Sequence, residues 1–114
     1  MNSGGAFWKT VRAEDALLRS FWKNFPCWSC GQPPGNDFNP VDYSHVLTIG
    51  AGRPDAWFNG TPQCRRCHTA FENNRLEFID AHPKFWNRLR LMGWKIEIFV
   101  GKRRLWHPYL EGAQ

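Results

Sequence analysis

Asp42-Tyr43-Ser44-His45-Val46, then Asn59, then Cys64-Arg65-Arg66-Cys67-His68 with Glu72 one helical turn later, is the stretch whose reading decides the fold. Together with the earlier pair Cys27-Trp28-Ser29-Cys30 it gathers four thiols, two imidazoles, two carboxylates and a carboxamide. Two Cys-x-x-Cys knuckles are the spacing of a tetrahedral four-thiolate site, which closes the coordination sphere and so reads as structural zinc. An iron–sulfur centre is the alternative metal, and two disulfides or a redox pair are the metal-free readings. Cys64-x-x-Cys67-His68 also matches the c-type haem signature. That reading is set aside because a second Cys pair has to be satisfied and the start Met1-Asn2-Ser3-Gly4-Gly5 lacks the pattern of an export signal.

Working outward, Cys64 to Asn73 is expected to be a helix. Cys67 and His68, adjacent on it, point about 100° apart, so Cys67 can face the zinc while His68 faces elsewhere. His68 and Glu72, at i and i+4, share one face. Upstream, Val41 to Ile49 is β-favouring, with Val46, Leu47 and Ile49 as expected strand residues. Gly50 to Asp55 reads as a flexible turn region. Trp57 and Phe58 are expected in the core, Asn59-Gly60 as a turn, and Thr61 to Gln63 as extended. Gln32 to Pro40, rich in Pro, Gly and Asn, reads as a loop.

On either side lie less informative segments. Thr10 to Lys23 carries Leu18, Phe21, Trp22 and Phe25 at helical spacing and is expected to be an amphipathic helix ended by Pro26. A short helix is expected around Leu76, Phe78 and Ile79. Another starts at Pro83, presents Phe85, Trp86, Leu89 and Met92, and stops at Gly93. Trp94 to Val100 alternates as a strand with Trp94, Ile96, Ile98 and Val100 on one face. Gly101-Lys102 is the expected hairpin turn, and Arg103 to His107 the returning strand.

The chain has 114 residues, a single domain by length. Its net charge of +5 is one-sided: residues 1–57 balance to zero and residues 58–114 carry the excess. A basic face of this kind is the footprint of a polyanion binder. Arg53, Arg65, Arg66, Lys84, Arg88, Arg103 and Arg104 are the candidate phosphate contacts, with Arg90 and Lys102 nearby and Trp86 and Trp106 interleaved. The absence of an export signal or an apolar span points to a reducing cytoplasm and no membrane partner.

His45, Asn59 and His68, framed by Cys27-x-x-Cys30 and Cys64-x-x-Cys67, resemble the HNH (His-Me finger, ββα-metal) endonucleases, and most closely the small zinc-knuckled members of phages and prophages. Asp42-x-Ser44-His45-Val46 and Gly50-Ala51-Gly52 add to the likeness, which covers residues 27 to 83. The resemblance implies an α+β fold in one domain: an N-terminal tail and helix (1–26), a zinc-knuckled ββα core (27–83), and a C-terminal helix and hairpin (84–114). It implies hydrolysis of DNA phosphodiester bonds in a host-cell cytoplasm, in recombination, packaging or processing, alongside phage proteins of those steps. His45 would be the general base and Asn59 the residue orienting it or its loop. His68, with Asp42 and Glu72, would hold a catalytic divalent ion: Mg²⁺, Mn²⁺ or Zn²⁺. Two positions depart from the family pattern: Ser44 stands where many members have a ligand, and Glu72 where many have a histidine. The other readings are a non-catalytic zinc-stabilised DNA-binding or adaptor module and a protein-interaction domain that uses the N-terminal helix.

Overall fold

The computed structural model describes residues 16–47 and 57–109. The part of the expected N-terminal helix before residue 16, Ile49, Gly50 to Asp55 and Arg53 lie outside the described residues. Among the described residues, the chain forms an α+β fold with four helices and two separate two-stranded antiparallel sheets. Residues 16–23 are helical (α1). The first sheet pairs β1 (Val41–His45) with β2 (Gly60–Cys64), in a register that sets Val41 opposite Cys64 and His45 opposite Gly60. A turn of 3-10 helix, Trp57–Asn59, leads into β2, and α2 (Arg65–Asn73) leaves it directly. Then come α3 (Arg75–Ala81), α4 (Pro83–Leu91), and a hairpin of β3 (Lys95–Phe99) and β4 (Lys102–Trp106).

Local chemistry accounts for each boundary. Loop residues cap α2: the Arg65 backbone N–H donates to Pro40 O and that of Arg66 to Asn39 Oδ1. Asn74 caps α3 by accepting from the Glu77 N–H at 3.1 Å, while its own amide donates to the Glu77 carboxylate at 3.0 Å, a reciprocal arrangement akin to a capping box. Pro83 opens α4, where a missing N–H costs nothing. At the far end the Gly93 N–H bonds Arg90 O and the Trp94 N–H bonds Leu89 O, the Schellman pair.

The core is aromatic. Phe71, Phe78 and Phe85, from α2, α3 and α4, meet edge to face with ring centroids 5.2–5.6 Å apart. Leu89, Trp94, Leu105 and Trp106 extend it to the hairpin. The Trp94 indole donates to Phe58 O at 2.8 Å, which ties the hairpin to the turn before β2. The helix α1 joins through Trp22, which meets Trp28 of the first knuckle edge to face at 5.0 Å and packs against Phe25 just beyond the helix. No helix among the described residues is long and apolar enough to cross a membrane.

Several expectations need correction. The first strand ends at His45, so Val46 and Leu47 follow it instead of forming it. Asn59 closes the 3-10 turn and Gly60 begins β2. Phe58 is buried, but Trp57 is half exposed. Along the alternation from Trp94 to Val100 burial falls off toward the turn: Trp94 is buried, whereas Ile98 and Val100 are exposed. The hairpin turn is Val100–Gly101, one residue earlier than expected, with Phe99 facing Lys102.

Both turn residues have positive φ, 53° at Val100 and 75° at Gly101, as a type I′ turn requires. A β-branched residue is strained there. Val100→Asn is therefore expected to stabilise the fold by about 1 kcal/mol, read as a higher urea midpoint at unchanged m-value.

Candidate metal centre and adjoining cleft

The knuckle thiols come together. The Sγ atoms of Cys27, Cys30, Cys64 and Cys67 all lie within 4.8 Å of one another. The Cys30–Cys64 separation is 3.7 Å. Zn–S bonds of about 2.3 Å in a tetrahedron put sulfurs about 3.8 Å apart, whereas a disulfide needs about 2.05 Å. The four thiols are free, and their spacing fits a structural ion such as zinc. The first knuckle closes on Gly31, whose N–H donates to Cys27 O at 2.9 Å and whose φ of +80° excludes most side chains. The Ser29 N–H donates to Cys27 Sγ at 3.3 Å. Burial alone raises the Cys27 thiol, but backbone donors at Cys64, Cys30 and Ser29 bring it on balance down to about 7. Burial, then the neighbouring sulfurs, push Cys67 up. A bound cation is what would hold all four as thiolates.

Cys67 and His68 diverge as the helical spacing requires. Cys67 is buried toward the sulfur cluster, and His68 turns to a cleft of about 370 Å³ lined by Arg19, Lys23, Asp42, Tyr43, His45, Arg65 and His68. The cleft thus unites His45 from β1 with His68 from α2. Its basic rim includes Arg19 and Lys23 of α1, two helix-surface cations that carry no sequence signal of a site.

Within the cleft His68 is held between two carboxylates. Its Nδ1 lies 3.1 Å from Asp42 Oδ2 and its Nε2 lies 2.8 Å from Glu72 Oε1. Asp42 also accepts from Arg65 Nη2 at 3.1 Å. Burial pushes the Asp42 carboxyl up, but the Arg65 and His68 hydrogen bonds outweigh it and leave the group below its usual range. Asp42 lines the cleft and Glu72 does not, so the two acids flank opposite edges of one imidazole. Among the described residues, the four cysteines are the group of three or more whose ligand atoms converge.

The backbone after His45 is clamped from two sides. The Asn59 side chain accepts from the Leu47 N–H at 2.8 Å and donates to Leu47 O at 3.0 Å. Asn59 O accepts from the Val46 N–H at 2.9 Å. From α3, Arg75 Nε donates to Val46 O at 2.6 Å, a role with no sequence signal except an arginine beside a helix cap. Gly60, opposite His45, lies beneath the Tyr43 ring: a Cβ there would come 2.1 Å from it. The same ring meets the His45 imidazole edge to face at 5.1 Å.

Ser44, in the place where a ligand is common in the resembled family, is fully buried and turned inward. Its hydroxyl donates to Gln63 Oε1 at 2.6 Å, and Gln63 Nε2 donates to Ser29 Oγ at 3.0 Å. This chain runs from the first knuckle to the residue before His45. Nothing in the sequence marks Gln63 for this role, since a Gln in a short strand carries no signal.

The remaining basic candidates are spread out. Arg65 and Arg66 open α2 beside the cleft. Lys84 is exposed on α4. Arg88 donates to Trp28 O, Arg103 pairs with Asp80 at 2.8 Å, and Arg104 pairs with Glu97 while stacking between Phe99 and Trp106. Arg88, Arg103 and Arg104 are thus engaged in holding the fold, and none of them lines the cleft. No protein family, curated protein or solved structure matches this chain.

Proposed function

We propose that this chain is a metal-dependent DNA endonuclease of the HNH type, with the four cysteines as scaffold and the cleft as the reaction site. The observation that carries the reading is the cleft itself, which holds two histidines, Asp42 and a basic rim outside the sulfur cluster. Strand, strand and helix follow one another as Val41–His45, Gly60–Cys64 and Arg65–Asn73, the order that such a core requires. Asn59 braces the backbone that follows His45, as an orienting residue would.

In this account His45 takes a proton from water, the resulting oxygen attacks phosphorus, and the bond from phosphorus to the leaving oxygen breaks. A neutral imidazole suits that task near pH 7. Asp42 and His68 Nδ1, side by side in the cleft, would hold a divalent ion that stabilises the charge developing on the phosphate. Glu72 then has a different task from the one first expected. It fixes the ring by accepting from Nε2, as a carboxylate behind a metal-bound histidine commonly does. Arg19, Lys23 and Arg65 attract the DNA backbone.

Glu72→Ala is expected to weaken activating Mn²⁺ about 10- to 100-fold, with Glu72→Gln retaining more of the affinity because its amide oxygen still accepts. Metal titration of cleavage rate checks this. The reading as a whole is tested by incubating zinc-loaded protein with supercoiled plasmid and Mg²⁺ or Mn²⁺, beside His45→Ala. Nicking that depends on His45 supports it.

One observation favours a second reading, a non-catalytic zinc-stabilised DNA-binding module. Asp42, His68 and Glu72 do not converge on one point as the four sulfurs do. DNA binding with no scission under any divalent metal would select it.

A further inference from the structure

Beside the cleft runs a second groove of about 460 Å³, lined by Phe38, Asn39, Arg65, Arg66, Thr69, Ala70 and Asn73. Arg65 belongs to both, so the groove continues the cleft across the first turn of α2. Its wall carries two arginines and no carboxylate. Phe38, at its edge, is 99% exposed. A phenylalanine so exposed gains nothing from folding, and this one stands on a loop that is held firmly. Asn36 Oδ1 accepts from the N–H groups of Phe38 at 2.9 Å and Asn39 at 3.2 Å. Asn39 Oδ1 and Pro40 O in turn cap α2. The backbone that carries the ring is therefore held in place next to Arg65 and Arg66.

We infer that this groove receives an unpaired stretch of DNA leading out of the cleft, with one base stacked on Phe38 and the adjoining phosphates met by Arg65 and Arg66. A cationic groove with an aromatic platform is how single strands are held without regard to sequence, since every base has a π-face. A base within a duplex has both faces covered by its neighbours, so the platform selects DNA that is single-stranded, flapped or branched beside the scissile phosphate. The inference rests on the nuclease reading for what happens in the cleft, but the stacking itself requires no cleavage.

The test is equilibrium binding of a fluorescein-labelled single-stranded oligonucleotide and a blunt duplex of the same sequence, by anisotropy, in Ca²⁺ to hold back cleavage. Phe38→Ala is expected to weaken single-strand binding about five- to tenfold, the low end of an aromatic–base stack. It should leave blunt-duplex binding within twofold, and Phe38→Trp should restore the single-strand affinity. Ile98→Ala, an exposed apolar change on the β3–β4 hairpin, serves as the control and should alter neither. Equal affinities of wild type and Phe38→Ala for the single strand, or an equal loss on both DNA forms, would overturn the inference. If no DNA is cut with Mg²⁺ or Mn²⁺ while the Phe38-dependent preference persists, the nuclease reading fails and the stacking groove stands.

Discussion

Cys64→Ser is expected to lose stoichiometric zinc and to leave the chain without a cooperative melting transition. Cys64 ends β2, stands at the residue before α2 and supplies one of the four converging sulfurs. Structural zinc in small domains contributes about 10–16 kcal/mol of apparent binding energy, which exceeds the total stability of a typical domain. The aromatic core lies largely in α2 to α4 and the hairpin, whereas the first knuckle reaches it through buried Cys27 and partly buried Trp28. Losing the ion should therefore release α1, the knuckle and β1 and, through Cys64 and Cys67, loosen the packing of α2 on that core. Zinc analysis, with circular dichroism melts before and after chelation, checks both the variant and the wild type. Unchanged melting of the zinc-free protein would show that the sulfurs are not a structural centre.

The second large effect belongs to His45. Replacing it with Ala should lower the cleavage rate about 10²- to 10⁴-fold, the usual contribution of a positioned general base. The fold should be spared, because β1 is held through its backbone pairing with β2, and the residues after it by Asn59 and Arg75. Melting temperature and DNA affinity measured alongside separate the loss of a base from the loss of a fold. An Asn59→Ala variant should behave otherwise, losing stability and rate together, because its buried side chain makes both hydrogen bonds that hold Leu47.

The four-cysteine cluster is legible because ligand spacing is local: two Cys-x-x-Cys turns announce it, and only their pairing in space is left to the fold. The step from Cys67 to His68 was legible for the same reason, since helical geometry fixes the angle between neighbours. The four segments read as helices follow from capping residues and apolar spacing, as at Asn74, Pro83 and Gly93. What the sequence hid was non-local. Nothing adjacent to Ser44 says that Gln63 will take its hydroxyl, or that Arg75 will reach across to Val46 O. The ion pairs that occupy Arg103 and Arg104 depend on Asp80 and Glu97, whose positions follow from tertiary packing and strand register. Helical spacing places the Glu72 carboxylate beside His68, but that Asp42 meets the opposite edge of the same ring shows only in the fold. The hairpin turn slipped by one residue because Gly101 satisfies either placement, and the strained Val100 gives no warning of its φ.

Zinc stoichiometry and plasmid cleavage measured on the same preparation test the central claim most directly. One tightly held zinc per chain, with nicking of supercoiled, branched or single-stranded DNA that begins only when Mg²⁺ or Mn²⁺ is added, is the expected result. A preparation with its zinc site filled that cuts none of these DNA forms with either metal would contradict it.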